Sequence, residues 1–161
     1  MATLYLMVGL PCSGKTTLAR QLEHEYSALR LNPDEWHTRL FGDDADDSEH
    51  DARHQHIEAM LWSIATRVLG LGVNVILDFG FWAQSEREDY RARAAALGAS
   101  SEIRFLSVPE AELLQRLKQR NARLPVGTFT IREAKLKEWV AVFQPPTSEE
   151  LERRGQVDGA W

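Results

Sequence analysis

The chain has 161 residues, of which 43% are hydrophobic and 27% charged. That balance belongs to an ordinary folded domain and excludes a disordered tract, a collagen-like repeat and a disulfide scaffold. Cys12 is the single cysteine, so no internal disulfide can form. With one thiol and five histidines scattered along the chain, a structural zinc site is not expected. The net charge of −5 argues against a protein that grips long nucleic acid by its phosphates. A strand terminus or a small anionic ligand stays compatible with it. The first charge is Lys15 and the apolar stretch before it is short, so the N-terminus does not read as a signal peptide. No run approaches the roughly 18 to 20 apolar residues that cross a bilayer. The expectation is a cytoplasmic protein with no membrane partner.

Leu4–Val8 is a continuous apolar run closed by Gly9, the pattern of a strand buried on both faces of a parallel sheet. From Lys15 to about Tyr26 the apolar residues Leu18, Leu22 and Tyr26 take helical spacing. Ala28–Leu31 reads as a second short strand. Asn32 then caps a short helix that opens with Pro33 and runs to about Phe41. Residues 42–51 hold six acids in ten and read as a solvated, mobile loop. A long helix is expected from about Ala52 to Leu69, ended by Gly70 and Gly72, with Ile57, Leu61, Ile64, Ala65 and Val68 on its buried face. Val73–Asp78 is the clearest interior strand. Helices follow over Ser85–Leu97, Pro109–Gln119 and Ile131–Phe143, with a strand at Ile103–Val108 and an Arg/Gly loop at 120–129. The tail 147–161 has no clear pattern. Strands alternating with helices, with no linker or repeat, predict one α/β domain with a central parallel sheet flanked by helices.

Gly9-Leu10-Pro11-Cys12-Ser13-Gly14-Lys15-Thr16, followed by Thr17, matches G-x-x-x-x-G-K-[ST] in full. Glycines let the backbone curl so that successive N–H groups aim at phosphate oxygens. The next helix offers its unpaired N–H groups and positive dipole end to the same anion. Lys15 reaches the terminal phosphates of ATP as a point charge, and the Thr16 hydroxyl suits Mg²⁺. Strand-loop-helix is the context that gives this motif its meaning. Cys12 inside it reads as a small tolerated side chain rather than a redox group, although a helix N-terminus lowers a thiol pKa.

Asp78 closes an apolar strand whose carboxyl end faces the crevice of a parallel sheet. There it either meets the Mg²⁺ held by Thr16 or caps the following turn. Asp34, after the second strand, is either a base for an attacking hydroxyl or a first-turn helix acid, a description that Glu35 fits equally. Arg116, Lys118, Arg120 and Arg123 precede the glycine-containing loop 124–129. They suit a helical lid over about 116–130 whose arginines neutralise charge on a transferred phosphoryl group. Trp36, Phe81 and Trp82 follow strand ends and either stack on a ligand ring or pack beneath that lid.

Taken together these residues resemble the small P-loop kinases that include bacteriophage polynucleotide kinase domains, zeta-type toxins, gluconate kinase and chloramphenicol phosphotransferase. The resemblance runs from the Gly9–Thr17 loop to the helix ending near Phe143. It is similar also to AAA-type bacterial ATP-binding proteins that carry Gly-Phe-Trp after the Walker B strand, here Gly80-Phe81-Trp82. The resemblance implies a P-loop NTPase fold, ATP and Mg²⁺ as cofactors, Asp34 as general base, and Arg120 and Arg123 as lid arginines. It implies a substrate-engaging arginine too. Here that is Arg39, five residues after Asp34, while the shorter spacing usual in polynucleotide kinases falls on His37.

The function expected is transfer of the γ-phosphoryl of ATP to a hydroxyl on a small molecule. A 5′-hydroxyl nucleic-acid kinase is the alternative within enzymes. An ATP-hydrolysing switch or assembly protein is the alternative outside transferases.

Overall fold

Four short strands form one sheet in the order β2-β3-β1-β4, and every pairing in it is parallel. They are β1 (Thr3–Val8), β2 (Leu29–Leu31), β3 (Val75–Gly80) and β4 (Ser100–Phe105). Parallel neighbours demand a crossover each time, and the helices supply it. These are α1 (Lys15–Glu25), α2 (Pro33–Phe41), α3 (His50–Gly70), α4 (Gln84–Ala96), α5 (Glu110–Ala122), α6 (Glu133–Val142) and α7 (Ser148–Glu152). The computed structural model describes residues 1–152. Among them no helix is long and apolar enough to cross a membrane.

The two-residue period of a strand sends β1 to both layers. Leu4, Leu6 and Val8 meet Ile57, Leu61 and Ala65 of α3 and Tyr90 and Ala94 of α4 in one core cluster. Tyr5 and Met7 pack on Ala19 and Leu22 of α1. A third cluster, Leu10, Leu113, Leu117, Ile131 and Leu136, joins α5 and α6 to the end of the phosphate loop. The carboxyl ends of β1 and β3 therefore open beneath α2, α3 and the α5–α6 loop.

Several boundaries differ from the sequence expectation. β3 begins at Val75 rather than Val73, because Val73 N–H still closes the end of α3 on Val68 O at 3.2 Å. Asn74 is held outside the strand by its side chain, which accepts from Thr3 N–H and donates to Tyr26 O, both at 2.9 Å. Asp78 thus lies inside β3, two residues before its end. β4 begins at Ser100, which pairs with Thr3; its polar start obscured the strand pattern. α5 continues through Ala122, so Arg120 is helical and only the residues after it form the loop.

The tail left unassigned contains α7. Glu150 of α7 is buried and accepts from Arg87 Nε at 2.7 Å, while Arg87 also donates to Phe81 O and Gln144 O. This buried pair pins the C-terminal segment to α4. Residues 153–161 of that tail lie outside the described residues.

Candidate active site

Residues Gly9–Thr17 bridge β1 and α1. The backbone turns left-handed at Cys12 (φ 67°) and at Gly14 (φ 90°), which is the N-cap of α1. A non-glycine residue seldom takes such a φ, and here it curls the loop toward the crevice. Gly9 is required by space, since a Cβ there would stand 2.7 Å from Ser13 Oγ. The loop is braced from two sides. Arg116 Nη1 donates to Cys12 O at 3.1 Å, and Trp82 Nε1 donates to Gly9 O at 3.3 Å. Pro11–Thr17, Lys15 among them, line a cavity of about 1710 Å³. A pocket for one drug-sized ligand is roughly 300–1,000 Å³, so this one has room for more than one such molecule.

Asp78 has a fully buried carboxylate and stands behind the cavity wall, in contact with the lining residues Thr16 and Asn32. Its Oδ2 accepts from Thr16 Oγ1 (2.8 Å), Asn32 Nδ2 (2.8 Å) and Arg30 Nη1 (3.2 Å). Its Oδ1 is buried with no hydrogen-bond partner. The Thr16 hydroxyl and the unpaired Asp78 Oδ1 are hard oxygen donors of the kind Mg²⁺ takes. The Thr16–Asp78 contact sets these two side chains together behind the phosphate loop. Neither Arg30 nor Asn32 is legible as a site residue in the sequence, where Asn32 reads only as a helix cap and Arg30 carries no signal. β2 is only three residues long, and nothing local shows that it runs beside β3 and sets Arg30 next to Asp78.

The opposite wall is acidic. Asp34 and Glu35, neighbours in the first turn of α2, have different fates. Glu35 accepts from Arg30 Nη2 at 2.7 and 2.8 Å and from Arg20 Nη2 at 2.9 Å. Burial opposes its charge, but the two arginines outweigh that and hold its pKa below the usual value. Asp34 faces the cavity half-exposed, with His54 Nε2 3.7 Å away. Glu58 of α3 and Glu86 of α4 line the same wall. Burial, then Glu86 and Asp34, push Glu58 up to about 7; burial also raises Glu86. Sequence reasoning missed Glu58, although a signal existed. It stands three and seven residues before Leu61 and Ala65, on the buried stripe of α3, where an acid is out of place.

Other expected site residues are placed less uniformly. Arg120 lines the cavity, donates to Phe129 O at 3.0 Å and lies 3.6 Å from Cys12 Sγ. Arg123 is exposed at the C-cap of α5 and is not among the lining residues. Trp36 and Arg39 are likewise exposed and outside the lining. At about 100° per residue they point roughly 200° and 140° away from Asp34. Phe81 is buried, with ring centroids 5.5 Å from Phe79 and 5.0 Å from Tyr90, so it is core and has no free face for stacking. Trp82 lines the cavity while packing against Trp139 at 5.2 Å.

The acidic run is solvent-exposed over most of its length, as expected, but it is tethered. Asp43 accepts from Thr130 N–H (3.0 Å) and Oγ1 (2.7 Å), Asp46 pairs with Arg132 at 3.0 Å, and Asp44 with Arg53 at 2.8 Å. The carboxylates tie it to the α5–α6 loop because both lie over the crevice. Nor are the histidines scattered: His37, His50 and His54 meet in one cluster.

A protein-family model described as an AAA domain matches residues 4–146. The chain belongs to that family. Among solved structures, this AAA domain is similar to the Pnkp1/Rnl/Hen1 RNA repair complex at 22% identity and a TM-score of 0.72, over 87% of this chain and 43% of that one. A putative kinase from Chloroflexus aurantiacus matches at 20% identity and 0.71, over 91% and 83% of the two chains. Chaetomium thermophilum Kti12 in complex with ADP-AlF3 matches at 22% identity and 0.67, over 91% and 82%. No curated protein matches the chain. The shared feature is a P-loop kinase-like fold.

Proposed function

We propose that this AAA domain is a cytoplasmic, ATP- and Mg²⁺-dependent phosphotransferase that moves the γ-phosphoryl group to a hydroxyl of a small molecule. The observation that carries the reading is the division of labour in the first turn of α2. Glu35 is tied to two arginines, and Asp34 is left open on the cavity wall that faces the phosphate loop. In this mechanism Asp34 takes the proton of the acceptor's hydroxyl while that hydroxyl's oxygen bonds to the γ-phosphorus. The bond from that phosphorus to the β–γ bridging oxygen breaks, and ADP leaves. The loop N–H groups and Lys15 hold the phosphates, and Arg120 meets the charge on the moving group. Thr16 and Asp78 would hold Mg²⁺, which neutralises phosphate charge when bound.

The likeness to the RNA repair complex keeps a 5′-hydroxyl nucleic-acid kinase as the second reading. Against it stand Asp34, Glu58 and Glu86 on the acceptor wall, which repel a polyanion and favour a neutral or cationic acceptor. An ATP-hydrolysing switch is separated by acceptor dependence: ADP release should rise on adding the right hydroxyl compound, and turnover indifferent to every acceptor favours the switch.

The decisive variant pair is Asp34→Asn and Glu35→Gln. The first should cut turnover by roughly 10²- to 10⁴-fold with nucleotide affinity nearly unchanged. The second should do much less. Equal small losses would reduce Asp34 to helix electrostatics.

A further inference from the structure

The sequence spreads His37, His50 and His54 over two helices, and the fold gathers them. Each offers a nitrogen, and the three nitrogens lie within 4.8 Å of one another. The ring centroids are 4.6, 5.3 and 5.8 Å apart. Three imidazoles that each bind a tetrahedral ion through one nitrogen at about 2.0–2.1 Å have centroids roughly 5 Å apart.

The far side of each ring carries a carboxylate. Asp44 Oδ1 lies 2.7 Å from His50 Nδ1, and 2.8 Å from His37 Nε2, at a slant that falls short of an aligned hydrogen bond. Arg53 takes the other Asp44 oxygen at 2.8 Å. His54 Nε2 faces Glu58 at 3.6 Å and Asp34 at 3.7 Å. An ionised carboxylate only accepts, so the hydrogens of His37 and His50 belong on the nitrogens that face Asp44. In the neutral rings that leaves lone pairs on the inward ones. His37 Nδ1 and His54 Nδ1 stand 3.0 Å apart, and His37 is fully buried. Either a hydrogen bond from one ring to the other or a cation lying against both nitrogens satisfies that contact. A carboxylate behind a ligating imidazole, as Asp44 lies behind His37 and His50, is the arrangement that orients histidines on a metal.

We infer that His37, His50 and His54 bind one divalent transition-metal ion of the zinc type, with Asp44 positioning two of the rings. Three imidazole nitrogens suit Zn²⁺, Co²⁺, Ni²⁺ or Cu²⁺, and not Mg²⁺ or Ca²⁺, which take oxygen. Phe129 presents its edge to all three rings, at 5.0, 4.9 and 6.4 Å, and Phe41 to His37 at 5.5 Å, giving the site an apolar shell. The ion would clamp α2 to the first turns of α3 and fix the acceptor wall under the α5–α6 loop. The inference does not depend on which acceptor is phosphorylated.

The test strips the full chain with a chelator and titrates it with Zn²⁺ alone, then with Co²⁺. The expected results are one Zn²⁺ per chain by native mass spectrometry, a raised Tm, and the intense visible absorption of tetrahedral Co²⁺. His50→Gln and His54→Gln should each weaken binding by on the order of 100-fold or more. Asp44→Asn, which does not touch the ion, should weaken it by about 10- to 100-fold. His56→Gln, on an exposed turn of the same helix, should change nothing. Circular dichroism checks that each variant is folded, and the graded Asp44→Asn effect serves if a ligand variant is not. Zn²⁺ affinity equal in wild type, His50→Gln and Asp44→Asn, a Co²⁺ spectrum of octahedral type, or ready displacement of Zn²⁺ by Mg²⁺ would each overturn the inference.

Discussion

The phosphate wall of the crevice comes from one continuous segment, Gly9–Thr17, with Asp78 beneath it, whereas the acceptor wall is assembled from α2, α3, α4 and the α5–α6 loop. The first is braced internally: Thr16, Asn32 and Arg30 all donate to one Asp78 oxygen, and Arg116 and Trp82 hold the loop, with Asp78 Oδ1 left unpaired. The second holds Asp34, Glu58 and Glu86 close together with little to neutralise them, and burial raises the last two. Stable anion-binding geometry is bought cheaply by a backbone loop. A carboxylate poised to take a proton instead requires charge held in an unfavourable place, which only surrounding packing can enforce.

That contrast yields a ranked set of experiments. The largest effect is expected at the phosphate wall itself. Lys15→Ala removes the cation between the terminal phosphates, so transfer should fall to background and ATP binding should weaken severely. Near-normal turnover in a coupled assay would break the kinase reading and with it the comparison.

Next come the two lid arginines, which the structure separates. Arg120→Ala should lower turnover by roughly 10²- to 10³-fold, the scale of losing one charge-stabilising donor. Arg123→Ala should have little effect, because Arg123 is exposed and outside the cavity. Equal losses would show that the lid closes further over nucleotide than this structure does. Arg123→Ala should leave Tm nearly unchanged, since an exposed arginine adds little stability, whereas Arg120→Ala also removes the part-buried bond to Phe129 O.

The smallest effect tests whether the acceptor wall carries strain. A carboxyl raised from 4.5 to about 7 binds its proton more tightly in the folded state than in the unfolded one. Stability should therefore fall as pH rises through that window. Glu58→Gln removes the penalty, so above pH 7 it should be more stable than wild type by about 1–3 kcal/mol, with no gain below pH 4.5. Urea melts at pH 4 and pH 8 measure this. A gain of the same size at both would mean that the effect is packing rather than charge.

The sequence by itself determined whatever is encoded over a few consecutive residues. The phosphate loop, the Asn32 cap with Pro33 after it, and the apolar strands and helices around them are local, because backbone curl, capping and two- or 3.6-residue periods need no distant partner. The α/β class and the parallel sheet followed from their alternation. Asp34 was legible as a candidate, but its separation from Glu35 was not, because that depends on Arg30 crossing from β2 and Arg20 from α1. Tertiary structure alone decided that Phe81 is core, that Trp36 and Arg39 face away, and that the acidic run is tied to Thr130 and Arg132. It alone gathered His37 with His50 and His54, 13 and 17 residues further on by their numbers. The α2–α3 turn that brings them together is an acidic segment with no periodicity, held by Asp44. Contacts between residues far apart in the chain are selected by packing and charge in the closed fold, and no local pattern records them.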